Sequence, residues 1–193
     1  MGIEFEVKFR ATEEVQDSIR SQIPGAEAIC QMQTTYYDTS TGAFSQRHCT
    51  LRRRMENEKS VCTLKAPAQG LGRREWEVES GTIENALEKL CKLGAPEELV
   101  ALAYEGLIPI CGARFTRVAK TVTAGGGTAE LALDKGILMG GGKEIPLCEV
   151  EVEQKTCSQK DCMAFAQLLS ARFGLVREER SKFRRALALY KGE

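Results

Sequence analysis

The sequence has no excess of charge of either sign and almost no histidine. Its 193 residues include 27 lysines and arginines, 27 aspartates and glutamates, and one histidine, His48. Proteins that bind duplex nucleic acid usually carry a basic excess, so we expect no nucleic-acid partner. A structural zinc site is also disfavoured, because histidine is scarce and no two of the cysteines have C-x-x-C spacing.

Long hydrophobic runs are absent as well. No segment approaches the ~20 apolar residues that cross a bilayer, and Glu4 and Glu6 stand where a signal peptide would be apolar. We therefore expect a cytoplasmic protein with no membrane partner. The eight cysteines agree with this expectation if they are reduced thiols that pack as small hydrophobic side chains.

What the sequence does contain is alternation of apolar and charged residues, the period of a half-buried strand. The alternation and the turn residues between segments predict eight strands, over residues 3–9, 32–38, 48–55, 60–65, 73–79, 113–123, 130–134 and 147–154. Helices are predicted over residues 11–23, 82–93 and 160–173, and the tail over residues 181–190 fits either a helix or a strand.

Strands do not alternate with helices here, so a parallel sheet is not expected. Eight antiparallel strands are about enough to close around a small ligand. We therefore predict an α+β fold, a closed eight-stranded antiparallel β-barrel with flanking helices. Since no low-complexity linker interrupts the chain, residues 1–193 are predicted to form one domain.

Several predicted strands carry like charges on one face, because residues two apart share a face. Glu149, Glu151 and Glu153 would place carboxylates about 6.5–7 Å apart along one strand, a row that is unfavourable unless cations neutralise it. For any single strand, the simpler interpretation is a sheet face that contacts solvent. Basic residues on other strands, such as Arg52 and Arg54, favour a cavity in which acidic and basic walls hold a polyanion together with a divalent metal ion.

Eight short motifs, in order along nearly the whole chain, resemble those of the CYTH superfamily, the triphosphate tunnel metalloenzymes. They are E-x-E-x-K at residues 4–8, Y-x-D-T at 36–39, L-R-x-R at 51–54, T-L-K at 63–65, R-x-E-x-E at 73–77, D-x-G at 134–136, E-x-E-x-E at 149–153 and S-K at 181–182. The resemblance implies a tunnel in which carboxylates hold Mg²⁺ or Mn²⁺ while lysines and arginines hold a triphosphate.

The resemblance also implies roles for individual residues. The metal-binding candidates are Glu4, Glu6, Asp134, Glu149, Glu151 and Glu153. The substrate-binding candidates are Lys8, Arg52, Arg54, Lys65, Arg73, Lys120 and Lys182, although Lys120 stands where related sequences have arginine. The catalytic candidates are Glu4, Glu6, Lys8 and Tyr36. Lys8 would hold the attacking water or act as its base, and Tyr36 would position Lys8.

The motifs do not separate the activities found in the family. Residues 146–153, with Ser181 and Lys182, look most like bacterial inorganic triphosphatases, which favours hydrolysis of tripolyphosphate to pyrophosphate and phosphate. A class IV adenylate cyclase and a thiamine triphosphatase are the enzyme alternatives. A polyphosphate- or nucleotide-binding module without catalysis is the alternative from another class. The expected partner is a small-molecule triphosphate, and a homodimer is left open.

Overall fold

The structure is a computed structural model that describes residues 2–68 and 73–193, with side chains from Phe5 onward. In this part of the chain there are ten β-strands. They are β1 (Gly2–Glu4), β2 (Glu6–Arg10), β3 (Glu27–Asp38), β4 (Thr50–Glu56), β5 (Lys59–Pro67), β6 (Arg73–Glu79), β7 (Ile108–Ala124), β8 (Gly127–Gly140), β9 (Lys143–Gln154) and β10 (Val176–Arg177).

The same residues form six helices. They are α1 (Glu13–Gln22), α2 (Ala43–Gln46), α3 (Ile83–Lys92), α4 (Glu97–Ala103), α5 (Gln159–Phe173) and α6 (Lys182–Lys191). No helix in the described ranges has the length and apolar character needed to cross a membrane.

Hydroxyl side chains at the N-caps explain where four of the helices begin. Thr12, Thr82, Ser158 and Ser181 each accept a hydrogen bond from the backbone N–H three residues later, which satisfies a donor that the first helical turn leaves unpaired. The three helices predicted from sequence are therefore confirmed. The cap at Ser181 also decides the ambiguous tail, which is helical as α6.

The strands form one antiparallel sheet, and the predicted closed barrel is wrong. The hydrogen-bonded order is β1-β6-β5-β4-β3-β7-β8-β9-β2-β10, which leaves β1 and β10 as edges. The N-terminal strand divides at Phe5, so that β1 pairs with β6 while β2 pairs with β9. Lateral closure would require β2 to pair with β6, and β10 instead takes the second edge of β2.

Apolar side chains on the outer face of the sheet pack against helices in two clusters. Val7, Val150 and Val152 lie in the cluster that includes α5 residues, while Leu64 and Trp76 lie in the cluster with α3 and α4. All eight cysteines are free thiols, and five of them are buried. Because these strands bury their apolar residues outward, their alternate charged residues are directed to the inner face.

Helix α6 packs against β7 and β8, within a third cluster. Phe183 and Ala186 of α6 are buried there with Phe115 and Leu138. Gly140 allows the close approach, because a Cβ atom at this position would lie 2.3 Å from the carbonyl oxygen of Ala186. This packing places the N-terminal end of α6 beside the charged residues of β8 and β9.

Candidate active site

A cavity of about 1470 Å³ lies on the inner face of the sheet and is lined by charged side chains from several strands. Basic side chains of β4, β5 and β6 line one part of it, and we call this part the basic wall. Acidic side chains of β2, β8 and β9 line another part. The cavity-lining members of these groups are Arg52, Arg54, Lys65, Arg73, Glu6, Glu130, Glu151 and Glu153. The period-2 pattern thus predicted correctly that charged faces of different strands meet.

Three carboxylates, Asp134, Glu149 and Glu151, form a buried cluster next to the cavity. Asp134 and Glu149 are partners in the β8–β9 ladder, and their side chains are fully inaccessible to solvent. One oxygen from each of the three carboxylates lies within 4.8 Å of the others. So many negative charges require cations close by.

Three basic side chains supply the compensating charge. The Lys182 ammonium contacts all three carboxylates, at 2.8 Å from Asp134 and 2.6 Å from each of Glu149 and Glu151. Arg117 donates two hydrogen bonds of 2.7 Å to Asp134, in the planar fork geometry of a guanidinium–carboxylate pair. Arg117 also pairs with Glu151 at 2.5 Å, and Arg185 pairs with Glu149.

Ion pairs and burial shift the pKa values of Lys182, Glu151 and Glu149. Burial disfavours charge on Lys182, but Asp134, Glu151 and Glu149 outweigh burial and raise the pKa of its ammonium well above the usual range. For Glu151, Lys182 and Arg117 similarly overcome burial and lower the pKa far below its ordinary value. Burial dominates at Glu149, whose pKa is raised.

Gln16 of α1 supports this cluster from the opposite side of the sheet. Its side-chain amide nitrogen donates to the backbone carbonyl of Asp134 at 3.0 Å and to that of Glu149 at 2.7 Å. Because Gln16 is buried, water cannot take its place as the hydrogen-bond donor to these two carbonyls. The amide therefore joins the two strands at the residues whose side chains form the acidic cluster.

The basic wall is arranged less tightly. Arg52 and Lys65 lie 3.7 Å and 3.3 Å from carboxylate oxygens of Glu75, so the two basic side chains share one acidic neighbour. Burial and the nearby Arg52 lower the pKa of Arg54. Arg73 donates to the backbone carbonyl of His48 at 2.6 Å, at an exposed position. Glu56 and Glu77 also line this part of the cavity and pair with Arg54. An anion that enters would therefore compete with these glutamates for the basic side chains.

Glu6 and Lys8 line the cavity next to the acidic cluster, as predicted from the alternation in β2. The Lys8 ammonium lies 2.6 Å from a Glu6 oxygen. Burial lowers the pKa of Lys8, but Glu6 outweighs burial and the net pKa is raised, with a smaller contribution from Glu151. A raised pKa keeps Lys8 protonated, which argues against the general-base role and favours that of a fixed positive charge.

Tyr36 also lines the cavity, in a buried position. Its ring packs against Phe183 of α6 with 4.9 Å between ring centroids, and its ladder partner on β4 is Arg52. Burial raises the pKa of its phenol. Tyr36 is thus placed between α6 and the basic wall.

One predicted site residue, Lys120, is not brought into this arrangement. Lys120 lies on the opposite face of β7 from Arg117, and its ammonium donates to the backbone carbonyls of Arg20 and Ile23 at 2.6 Å and 2.7 Å. There it caps the C-terminal end of α1, away from the cavity lining, and we leave it out of the substrate-binding set. The side chain of Glu4 falls outside the described residues.

Sequence reasoning missed Arg117, Arg185 and Gln16. Arg117 and Lys120 are an odd number of positions apart, so the alternation of β7 would have indicated that only one of them faces the cavity. Arg185 stands three residues after Lys182, and the two share a face only if the tail is a helix. No sequence pattern indicates the role of Gln16, because its hydrogen-bond partners are backbone carbonyls that lie far away in the sequence.

The chemistry of the acidic cluster fits a divalent metal ion. Carboxylate oxygens are the hard ligands that Mg²⁺ and Mn²⁺ prefer, and the spacing of the three oxygens allows a single ion to contact them all. Glu6, Glu151 and Glu153 line the adjoining cavity, where a ligand with several anionic groups can enter.

Comparison with known proteins agrees with this chemistry. The CYTH domain model matches residues 2–187. The chain belongs to the CYTH domain family. CYTH proteins are generally metal-dependent phosphoryl-transfer enzymes. No curated protein sequence matches the chain.

Solved structures share the CYTH fold at low sequence identity. A proposed adenylate cyclase from Bacillus halodurans is 19% identical, with a TM-score of 0.67 over 95% of this chain and 96% of that chain. A proposed adenylyl cyclase from Hippeastrum, described as having a dominant triphosphatase activity, is 18% identical, with a TM-score of 0.65 over 100% and 96%. A proposed adenylate cyclase from Vibrio parahaemolyticus is 19% identical, with a TM-score of 0.60 over 96% and 98%. At these identities the similarity establishes the fold alone.

Proposed function

We propose that this CYTH protein hydrolyses inorganic tripolyphosphate to pyrophosphate and phosphate, with Mg²⁺ or Mn²⁺ as cofactor. The observation that carries the proposal is one cavity with a basic wall on one side and, on the other, Glu151, through which the metal-compatible cluster reaches the cavity. A linear triphosphate has several anionic groups and can contact both parts at once. Neither part alone would distinguish a triphosphate from a simple anion or cation.

The basic wall would bind the phosphate groups. Arg52, Arg54 and Lys65 point into the cavity from neighbouring strands, and their positive charge would stabilise the phosphoryl oxygens as charge redistributes in the transition state. Lys8, protonated because of Glu6, would add positive charge beside the acidic cluster.

Asp134, Glu149 and Glu151 would hold the metal ion, with Glu6 and Glu153 close to the entering substrate. When bound, the metal would act as a Lewis acid that polarises a phosphoryl oxygen. Arg117 would keep the carboxylates of Asp134 and Glu151 in place, because it contacts both. Gln16 would hold the two strands that carry Asp134 and Glu149.

A triphosphate with an organic substituent is the second candidate substrate, and one observation favours it. Apolar side chains line part of the same cavity, including Ile108, Ile110, Leu187 and Tyr190. They offer a surface for a nucleoside or a thiamine group, as an adenylate cyclase or a thiamine triphosphatase would require. Inorganic tripolyphosphate needs no such surface.

Parallel assays separate these functions. Purified protein is incubated with tripolyphosphate, thiamine triphosphate or ATP, each with Mg²⁺ or Mn²⁺, and phosphate and cyclic AMP are measured. We expect phosphate release from tripolyphosphate with the highest kcat/KM. Formation of cyclic AMP, or preferred hydrolysis of thiamine triphosphate, would support the second candidate, and tight binding without turnover would support a binding module.

A matched pair of variants connects turnover to the basic wall. Lys65→Met removes a charge from the cavity, whereas Lys59→Met removes one from an exposed position on the same strand, where Lys59 pairs with Glu79. Since charge-assisted hydrogen bonds contribute roughly 1.5–3 kcal/mol, we expect Lys65→Met to lower kcat/KM by about tenfold or more. Equal activity of the two variants would contradict the assignment of the basic wall to substrate binding.

A further inference from the structure

The position at which a cation would contact all three carboxylates of the acidic cluster is taken by a side chain of the protein itself. The Lys182 ammonium lies 2.6–2.8 Å from oxygens of Asp134, Glu149 and Glu151. It also lies 5.2 Å from the centre of the Phe115 ring, which favours a cation at that point. The Lys182 ammonium therefore takes the place that a bound metal ion would have among the three carboxylates.

Each carboxylate of the cluster already has a basic partner. The three carboxylates pair with three basic groups, Lys182, Arg117 and Arg185. A divalent ion added to this arrangement would lie within a few ångströms of the Lys182 ammonium. The repulsion at that distance in a buried site is strong. Metal binding to all three carboxylates thus requires Lys182 to leave.

Lys182 is suited to leave, whereas Arg117 is held in place. The guanidinium of Arg117 is fixed by two hydrogen bonds to Asp134. Lys182 is the first residue of α6, its side chain also lines the cavity, and its ammonium is a point charge on a flexible stem. The ammonium can turn toward the cavity while the helix stays packed.

We propose that Lys182 is a built-in competitor of the metal ion, which occupies the carboxylate cluster in the metal-free protein and turns toward the cavity when a divalent cation binds. The inference deepens the proposed function, because an anionic substrate in the cavity gives the displaced ammonium a partner. Metal and triphosphate should then strengthen each other's binding, as two ligands that favour the same state must.

Binding of Mn²⁺ alone tests the proposal without any turnover. The fraction of free Mn²⁺ is measured by electron paramagnetic resonance for the wild type and for Lys182→Gln, Lys135→Gln and the double variant E151Q/K182Q. Lys135→Gln is the charge-matched control, since Lys135 neighbours Asp134 in sequence but pairs with Glu13 at an exposed position. We expect Lys182→Gln to bind Mn²⁺ about tenfold more tightly than the wild type, because a charge a few ångströms away is removed.

The controls decide what a gain in affinity means. Lys135→Gln should bind as the wild type does, and E151Q/K182Q should lose the gain if the new affinity comes from the cluster. Equal or weaker Mn²⁺ binding by folded Lys182→Gln would overturn the proposal. If Lys182→Gln binds Mn²⁺ more tightly but the wild type hydrolyses no triphosphate, the competition by Lys182 is supported and the proposed function is rejected. If the wild type hydrolyses triphosphate but Lys182→Gln does not bind Mn²⁺ more tightly, the proposed function is supported and the competition by Lys182 is rejected.

A second measurement uses the wild type and does not depend on how the variant folds. Acetic anhydride labelling followed by mass spectrometry gives the relative reactivity of Lys182 and Lys135. Added Mn²⁺ should increase labelling of Lys182 relative to Lys135, because the amine leaves its carboxylate partners. Unchanged relative labelling at Mn²⁺ concentrations that saturate the protein would also overturn the proposal.

Discussion

The ammonium of Lys182 lies 2.6 Å from a carboxylate oxygen of Glu151 and joins the first turn of α6 to the middle of β9. The contact is part-buried, and Arg117 approaches the second oxygen of the same carboxylate. Glu151 thus belongs to the candidate metal site and also holds the C-terminal helix. Changes at this residue should affect both activity and stability.

Glu151→Gln should lower the free energy of unfolding and abolish metal-dependent turnover. Removing one partner of a buried ion pair leaves charge without compensation, which costs about 3 kcal/mol. Urea denaturation followed by circular dichroism measures the loss. Glu144→Gln, on an exposed part of β9, is the control and should change stability by less than about 0.5 kcal/mol. Equal stability of the two variants would show that the Glu151 ion pairs contribute little.

Gln16→Met should destabilise the protein although the side chains are similar in size. The change leaves the backbone carbonyls of Asp134 and Glu149 without their buried donor, and an unsatisfied buried polar group costs about 1–3 kcal/mol. The matched control is Gln22→Met at an exposed position of the same helix. A thermal melting temperature that falls equally in both variants would contradict the proposed role of the amide.

The contribution of Glu178 should disappear in acid. Burial opposes its ionisation, but hydrogen bonds from the backbone and guanidinium of Arg180 and from Arg10 outweigh burial and lower its pKa to about 2. A carboxylate whose pKa is lower in the folded than in the unfolded chain stabilises the fold above the unfolded pKa of about 4.3, and this stabilisation is lost as the pH falls through the folded value.

We therefore expect Glu178→Gln to cost about 2 kcal/mol at pH 7, and the difference from the wild type to shrink between about pH 4.5 and pH 2. Urea denaturation across this pH range is the measurement, and Glu179→Gln at the neighbouring exposed position is the control. A difference that stays constant with pH would show that Glu178 acts by packing and not by its charge.

Gly140→Ala should displace α6. The added Cβ would lie 2.3 Å from the carbonyl oxygen of Ala186 and 2.8 Å from the backbone nitrogen of Tyr190, and backbone atoms cannot move aside cheaply. Overpacking of this kind costs about 1–3 kcal/mol. Gly126→Ala is the control, because its Cβ would meet nothing within 4 Å. A melting temperature of Gly140→Ala that matches the control would mean that α6 is packed less closely than described.

Local sequence patterns predicted much of the candidate site. Alternation in β2 and β9 placed Lys8 and Glu151 on the cavity face, and local patterns predicted the helices α1, α3 and α5, which begin at the capping residues Thr12, Thr82 and Ser158. These predictions succeeded because the direction of a side chain in a strand, and the hydrogen bond of a cap, depend on neighbouring residues. The assignment of Lys120 to the site also failed for a local reason. Arg117 and Lys120 lie three positions apart on β7, so their side chains point to opposite faces of the strand, and only Arg117 faces the cavity.

Long-range pairing could not be predicted in the same way. Whether β2 pairs with β6 or with β10 depends on which backbone edge reaches it in three dimensions, and this choice left the sheet open. The position of α6 depends on its contacts with β7 and β8, including the space at Gly140. The role of Gln16 depends on two carbonyls more than a hundred residues away.

By itself, the sequence determined the strand periods, the helix starts and the opposite charges that line the cavity, because each of these follows from residues within a few positions of one another. Only the tertiary structure decided that the sheet stays open, that Lys120 supports α1, and that Lys182 meets Asp134, Glu149 and Glu151. Those outcomes depend on which distant segments pack together, and an ion pair forms only where the packing brings its two charges into contact.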